Sequence, residues 1–326
     1  MRKYQTEFGI NAYPNYKKIV SPTYLEYLES HDSHKYHIYG ILLAPKFFIK
    51  PGSIVLYEDH FSITLFTNIN KEYKEYPIDI RIDPSINHND VEITSTYPHS
   101  ILCLRFKNRD WGISHFGSNY IDLNATELFN LYGTRHVERM RYKVLYIGQA
   151  YGQRGERSAI ERLSSHSTFQ KILIDCQSHF PEYEIQILLL EMNYKLDIGI
   201  EKPSLQTTES DTEDREHIKK VLSDLPREQQ LVNITEAALI NYFKPVYNKN
   251  FVENFPCPNH KSYRQYYDLD YNEITIELDM EFDNFPYVEL YTDDANIPSV
   301  WRFIHYQLEN SDRESMYAMF KKIRKN

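Results

Sequence analysis

Four side chains in two separate stretches are of the types that phosphodiester chemistry uses. Arg162 and His166 are four residues apart, so on a helix they lie on one face. Arginine binds a phosphate through two parallel hydrogen bonds, and a histidine one turn away can accept or relay a proton. In "NITEAALINYFKPVYN", Glu236 lies near the start of a predicted helix, and Asn248 follows Pro245, which reverses the chain. With a tyrosine, this set suits metal-assisted phosphodiester hydrolysis.

Each of these residues also has an ordinary structural interpretation. Glu236 lies three residues after Asn233 and would complete a capping box at the start of a helix. Arg162 and His166 would form a solvated helix face, and Asn248 would be a turn former. Their joint order and spacing favour the chemical interpretation over these alternatives.

The pattern of apolar residues predicts the elements that must position this set. "RYKVLYIG" is a predicted strand that brings Tyr146 to a loop rich in Gly, Gln and Arg; alone, Tyr146 would be a half-buried strand tyrosine. "ERSAIERLSSH" and "TFQKILIDCQ" predict helices, and "EYEIQILLLEM" predicts a central strand. After an acidic insertion at about 196–230, interpreted as an exposed loop or disordered segment, "NITEAALINYF" predicts a helix that ends before Pro245.

The stretches "VLYIGQA", "ERLSSH" and "EAALINYFKPVYN", in this order, resemble the GIY-YIG nuclease superfamily over about residues 119–252. The resemblance implies an α/β (α+β) fold in which a small three-stranded antiparallel sheet is flanked by helices. It also implies a metal-dependent endonuclease that leaves a 5′-phosphate and a 3′-hydroxyl, with DNA favoured over RNA. By analogy with this superfamily, restriction or phage defence would be the biological role.

The resemblance further implies a role for each motif residue. Tyr146 faces the attacking water or the scissile phosphate, and Arg162 stabilises charge on the phosphate or the leaving oxygen. His166 acts as base or proton relay. Glu236 holds one divalent cation, Mg²⁺ or Mn²⁺, and Asn248 braces the site.

The chain departs from the superfamily pattern at its first strand. A G-I-Y strand usually lies shortly before the YIG strand, where this chain has "RHVERM", which is too polar for a central strand. "GSNYIDL" offers Tyr120 on a predicted strand. "FNLYG" offers Tyr132, but "NATELFNLYG" fits a helix better, with Asn124 as its cap and Gly133 as its stop. Tyr120 is therefore the predicted second tyrosine. If neither tyrosine reaches the site, His166 or Tyr146 must supply the base, or activity is low.

Composition and charge set wider limits on the function. With 41% hydrophobic and 14% aromatic residues, the chain can bury a core. Three cysteines are too few for a disulfide framework, which favours a cytoplasmic location, and no apolar run approaches the ~20 residues of a membrane span. The net charge of −9 is uneven: residues 265–296 contain no Lys or Arg, whereas residues 133–172 are basic, as phosphate binding requires.

The same patterns divide the chain into three predicted units. Residues 1–118 form a β-rich domain for recognition or scaffolding, 119–252 the nuclease-like domain, and 253–326 a small α+β unit with an acidic strand and a C-terminal helix. Apolar and acidic residues alternate at 273–283, so one strand face would be acidic. That face could repel nucleic acid, dock a protein partner or cover the basic patch. The alternatives to an active nuclease are a catalytically weak or inactive nucleic-acid-binding module and a regulated subunit of a larger complex, and oligomerisation stays open.

Overall fold

A computed structural model of the chain describes residues 1–133, 136, 139–150, 163, 167–200, 207–282, 287–297, 301–308 and 313–316. These residues form a mixed α/β structure, as predicted, built on an eight-stranded sheet and two smaller sheets. Within these ranges, no helix is both long enough and apolar enough to cross a bilayer.

The described part contains fifteen strands and seven α-helices. The strands are β1 (Thr6–Val20), β2 (Ile38–Pro45), β3 (Phe48–Ile49), β4 (Val55–Leu56), β5 (His60–Ile69), β6 (Glu72–Arg81), β7 (Val91–Thr94), β8 (Ile101–Phe106), β9 (Tyr120–Asn124), β10 (Arg139–Gln149), β11 (Tyr183–Ile200), β12 (Glu273–Asp279), β13 (Tyr287–Tyr291), β14 (Asn296–Ile297) and β15 (Trp301–Gln307). The helices are α1 (Leu25–His31), α2 (Arg109–Phe116), α3 (Ala125–Tyr132), α4 (Ser167–His179), α5 (Asp211–Ser223), α6 (Glu228–Phe243) and α7 (Gln265–Asp268).

The large sheet joins strands from all three predicted units. Its order is β14-β13-β10-β2-β11-β1-β12-β15. The neighbours β10, β2, β11 and β1 are antiparallel, whereas β13 pairs with β10 and β12 pairs with β1 in parallel. Because the sheet crosses both predicted boundaries, at 118 and at 252, the three units are not built on separate sheets. Pairing between strands so distant in sequence leaves no local signal from which a boundary could be placed.

The chain between β2 and β10 forms the two smaller sheets. One has the order β3-β5-β4, with β6 paired to β5, and the other has the order β7-β8-β9. Helix α3 follows β9 and begins as predicted: the Asn124 side chain accepts hydrogen bonds from the backbone N–H groups of Thr126 and Glu127. Gly133 follows the last helical residue. Residues 1–118 contain strands β1 to β8, and most of these strands lie in this insertion.

The large sheet has a core on each face. On one face, which we name the α4 face, Phe169 and Ile172 of α4 pack with Ile187 and Leu189 of β11. On the other, the α6 face, α6 packs its apolar residues against β2, β10 and β11. The run Ile185–Leu190 is apolar at every position except Gln186 because β11 is buried on both faces, which confirms the predicted central strand.

The predicted acidic insertion is partly regular structure. Strand β11 extends to Ile200, and α5 begins after Ser210, whose hydroxyl accepts from the Glu213 N–H while the Glu213 carboxylate accepts from the Ser210 N–H. This capping box provides hydrogen-bond acceptors for the backbone N–H groups of Ser210 and Glu213 at the start of the helix. Val221 and His217 bury the inner side of α5. The prediction of an exposed loop or disordered segment is therefore wrong for 207–223, while 201–206 lie outside the described residues.

Strand β12 has the apolar face that the sequence predicts, and part of its acidic face is covered. Ile274 and Leu278 are buried on the apolar side. On the other side, the buried Glu273 accepts a hydrogen bond from the Ser315 hydroxyl. Asp279 pairs with Lys17 at 3.1 Å. Contacts within the chain therefore account for these acids without an external partner.

The predicted C-terminal helix begins instead with a strand. Residues Trp301–Gln307 form β15, which pairs antiparallel with β12 and covers its free edge. Beyond it, the buried Arg313 forms ion pairs with Glu7 of β1 and with Asp270, the latter at 2.6 Å. Because Arg313 neutralises two carboxylates inside the protein, residues 313–316 are held firmly against β1.

Candidate active site

Two tyrosines meet where β10 pairs with β2. In the antiparallel register, Gly148 lies opposite Tyr39 and Ile147 lies opposite Gly40. Tyr39 is 0% exposed, and its ring centroid lies 6.1 Å from that of the half-buried Tyr146. Both rings lie on the α4 face, since Tyr39 belongs to that core and Tyr146 packs against it.

Gly148 provides the space in which the two rings meet. A Cβ atom at this position would lie 2.6 Å from the Tyr39 Cζ and Oη atoms and 2.9 Å from the Tyr146 Cε1 atom. Distances this short exclude any side chain unless both rings move. The glycine of the YIG stretch therefore allows the two tyrosine side chains to converge over the strand.

We predict that Gly148→Ala lowers the free energy of unfolding by about 1–3 kcal/mol, because the added methyl group overpacks the contact between the two rings. Gly40→Ala is the matched control. Its Cβ would meet Leu188 at an ordinary 3.5 Å, so we expect a smaller change. Urea denaturation of both variants measures the difference, and equal losses would contradict the packing described here.

Asn248 holds the backbone of the strand next to Tyr146. Strand β13 pairs with β10 only as far as Lys143, so the edge beyond it is open to other partners. There, the Asn248 Oδ1 accepts from the Ile147 N–H at 2.9 Å, and its Nδ2 donates to the Ile147 carbonyl at 2.8 Å. The Tyr247 N–H donates to the Leu145 carbonyl at 3.1 Å. The amide thus imitates a neighbouring strand, which a turn former need not do.

We predict that Asn248→Ala costs about 1–3 kcal/mol of stability, since it leaves the buried Ile147 peptide group without these two hydrogen bonds. Asn250→Ala, at an exposed position two residues later, should change stability by less than about 0.5 kcal/mol. Thermal unfolding of the two variants makes the comparison. Similar values would show that the Asn248 bonds do not stabilise the strand.

Glu236 lies in the interior of a helix and not at its start. Helix α6 begins at Glu228, so the capping-box interpretation is wrong, and the Asn233 side chain donates instead to the Ser262 carbonyl at 2.9 Å. At helical spacing, Glu236 shares a stripe with Val232 and Ile240, both buried. Glu236 itself is half-buried. Val232 and Ile240 belong to the core on the α6 face, whereas the tyrosine pair lies on the α4 face, so these contacts do not bring Glu236 to the tyrosines.

Arg162 and His166 lie outside the described residues. Leu163 is described, and it is fully buried in the same core as Tyr39 on the α4 face. Tyr247 reaches this side as well: its hydroxyl donates to Asp175 of α4 at 2.7 Å. Burial and this hydrogen bond raise the pKa of Tyr247 to about 12, so its hydroxyl stays protonated at neutral pH.

Tyr120 does not lie on a strand that pairs with β10. Its position on a strand is confirmed, but β9 pairs with β8 in a separate sheet, where Tyr120 lies opposite Arg105 and is 49% exposed. The described partners of β10 are β2 and β13. Tyr132 ends α3, as the helix interpretation predicts. The pairing of β9 therefore does not bring Tyr120 to the YIG strand.

The tyrosine that sequence reasoning missed is Tyr39. It lies in "HIYGILLA", far before the YIG stretch, because the two smaller sheets are inserted between β2 and β10. The signal was present: Ile38-Tyr39-Gly40 has the three residue types of Tyr146-Ile147-Gly148, and it opens a strongly apolar strand. A search limited to the region just before YIG could not find it.

A divalent cation fits Glu236 on the chemistry of its side chain. Mg²⁺ commonly keeps several waters and uses only one or two carboxylates together with substrate phosphate oxygens. Among the described residues, no three His, Cys, Asp or Glu side chains converge as a metal-binding group. A cation at Glu236 would therefore need water and substrate oxygens as its other ligands.

Comparisons with protein-family models, with curated proteins and with solved structures gave no match for this chain. The function is accordingly inferred from its residues and from the geometry above.

Proposed function

We propose that the protein is a GIY-YIG-type endonuclease that hydrolyses phosphodiester bonds in nucleic acid, preferentially DNA, with Mg²⁺ or Mn²⁺. The observation that carries the proposal is the meeting of Tyr39 and Tyr146 over Gly148 on paired antiparallel strands. Asn248 braces the same strand. The neighbours β10, β2 and β11 pair antiparallel, which supports the proposal, but they lie within an eight-stranded mixed sheet and not in the small three-stranded sheet that the resemblance implies.

In this proposal, each side chain acts on the substrate in a definite way. A hydroxyl of the tyrosine pair orients the attacking water, and it accepts the proton of that water while it passes its own proton to His166. Arg162 binds the phosphate and stabilises the charge that develops on it. Glu236 would hold the cation, which would supply Lewis-acid stabilisation to the phosphate oxygens when bound. By analogy alone, we propose restriction or phage defence in the cytoplasm as the biological setting.

The test is a cleavage panel with the purified full chain. Supercoiled plasmid, single-stranded DNA and structured RNA are each incubated with Mg²⁺, with Mn²⁺ and with EDTA. We expect cutting only with metal, most strongly of DNA, and products with 5′-phosphate and 3′-hydroxyl ends. The absence of cutting on every substrate with both metals would contradict the proposal, and so would cutting in EDTA.

The burial of Tyr39 favours a second candidate, a binding module or regulated subunit that does not cut. A hydroxyl that is 0% exposed reaches a phosphate only if the substrate enters the site deeply. In that case the chain would bind nucleic acid without hydrolysing it, and Glu236→Ala would leave binding unchanged. The same panel, followed by a binding assay, separates the two candidates.

A further inference from the structure

A cleft of about 410 Å³ lies between the insertion and the large sheet, away from the tyrosine pair. Its walls come from the tip of the β5–β6 hairpin, from α3, and from the ends of β10, β11 and β13. Ligand sites commonly have volumes of about 300–1,000 Å³ and aromatic walls with a few polar groups. The size of the cleft therefore suits a ligand as large as a nucleotide.

The cleft has aromatic walls. Tyr76, Tyr183, Tyr291 and Phe129 line it. Tyr76 meets Phe129 edge-to-face with ring centroids 4.9 Å apart, which fixes both rings. Burial, together with the nearby Tyr291 hydroxyl, raises the pKa of Tyr183, so its hydroxyl stays protonated at neutral pH. Phe129 is fully buried and stacked on Phe47, whereas the three tyrosines are half-buried. A partly exposed tyrosine ring can bind a nucleobase by stacking.

Arg141 supplies a fixed cation at the cleft. Its Nε atom pairs with Glu289 at 3.0 Å, and its guanidinium lies over the Tyr291 ring at 4.5 Å. The Arg141 side chain is 57% exposed, whereas that of Glu289 is 8% exposed. Among the described residues, the terminal nitrogens of Arg141 have no hydrogen-bond acceptor. An arginine already oriented in this way is suited to bind a phosphate through both terminal nitrogens.

The cleft and the tyrosine pair are connected along one strand. In the pairing of β10 with β2, Lys143 lies opposite Leu43 and Tyr146 opposite Ile41. Leu43 and Ile41 are both on the α4 face, so Lys143 and Tyr146 are too. Arg141, two residues before Lys143, shares that face. The register shift between Val144 and Tyr146 makes three residues of β10 span two of β2. At a rise of about 3.3 Å per residue, Arg141 therefore lies about 13 Å from Tyr146, or roughly four steps of a B-form strand.

We propose that this cleft binds one nucleotide, with its base against the tyrosines and its phosphate on Arg141. The nucleotide is either an unpaired residue of a strand that continues to the tyrosine pair or a free mononucleotide. If the nucleotide belongs to a strand, this inference rests on the proposed nuclease function. Binding itself requires no cutting, so the two proposals can fail independently.

The test is a calorimetric titration, in which deoxyadenosine 5′-monophosphate is added to the full chain in EDTA. Deoxyadenosine, which lacks the phosphate, is the matched ligand. We expect saturable binding of the monophosphate that weakens about tenfold or more in Arg141→Gln, with little change for deoxyadenosine. Arg302→Gln, at an exposed arginine of β15, is the control and should bind as the wild type does.

A second variant guards against misfolding. Arg141→Gln leaves the buried Glu289 carboxylate without this ion pair, so the double variant Arg141→Gln with Glu289→Gln is tested beside it.

Fluorescence anisotropy of a labelled 12-nucleotide single strand, with and without competing monophosphate, then identifies the source of the bound nucleotide. If binding of the strand depends on Arg141, the cleft binds a residue of the strand. If the monophosphate binds but does not compete with the strand, the cleft binds a free nucleotide.

Two results would overturn the inference. One is the absence of saturable binding of the monophosphate together with strand binding that is unchanged in both Arg141 variants. The other is monophosphate binding that Arg141→Gln does not weaken. A chain that binds the monophosphate through Arg141 and cuts nothing would keep this inference and remove the nuclease proposal.

Discussion

Replacing Tyr39 with Phe should lower the single-turnover rate of cleavage by about 10²–10⁴-fold, the range typical of a lost acid–base group. Only the hydroxyl is removed. The phenylalanine ring would keep the place of the Tyr39 ring on the α4 face, where the centroids of the Tyr39 and Tyr146 rings are 6.1 Å apart. Circular dichroism should therefore show an unchanged fold. The rate is measured with enzyme in excess over the substrate that the cleavage panel identifies.

Tyr120→Phe is the matched control for this prediction. It removes the same atom from the tyrosine that sequence reasoning favoured, which lies on a strand of a separate sheet. We expect the control to cut at the wild-type rate. If Tyr120→Phe loses the activity and Tyr39→Phe keeps it, the pairing of β2 with β10 does not form the site.

Glu236→Gln should abolish metal-dependent cleavage, by at least about 10²-fold, because a bound cation contributes several kcal/mol to stabilising a phosphoryl transition state. The substitution keeps the size of the side chain and removes its charge, so α6 should still pack against β10. Titration of Mg²⁺ at saturating substrate measures the effect. More metal should restore little of the rate, since the amide is a poor ligand for it.

The control for Glu236 is Glu216→Gln, the same change on an exposed face of α5. It should leave both the rate and the Mg²⁺ dependence unaltered. Should Glu236→Gln cut as fast as Glu216→Gln, the metal would have to be held elsewhere, and Glu236 would have only a structural role.

The sequence was informative where short-range patterns decide the structure. The apolar run of β11, the α3 cap at Asn124 and the end of α6 before Pro245 all lie where the residue pattern predicts them. These features depend on neighbours within a few residues, on helix capping and on proline geometry. The start of α6 was less well defined, because "EQQLV" extends the helix without a side-chain cap.

The pairing of strands that are far apart in the chain could not be predicted from the sequence. Tyr39 becomes a partner of the YIG strand only through the antiparallel register of β2 and β10, across an inserted pair of sheets. The segment Trp301–Gln307 looks helical by composition but becomes a strand because it covers the edge of β12. Tertiary context overrides local preference in such places.

The site was predicted in part for the same reason. Tyr146 and Asn248 were identified from their motifs, and the structure brings them together through the Ile147 peptide group. Glu236 was also named from its motif. Its alternative role as a capping residue is excluded only by the structure, in which α6 begins at Glu228. No sequence pattern marks the cleft at Arg141, since its walls come from strands and a helix that are far apart in the chain.

The most direct test of the account is the cleavage rate of the double variant Tyr39→Phe with Glu236→Gln, measured in Mg²⁺ beside both single variants and the wild type. Residues that act as one catalytic unit are strongly non-additive. We therefore predict that the wild type cuts and that the double variant is about as slow as the slower single variant. A double variant that cuts at the wild-type rate would contradict a hydrolytic site at the meeting of β2 and β10.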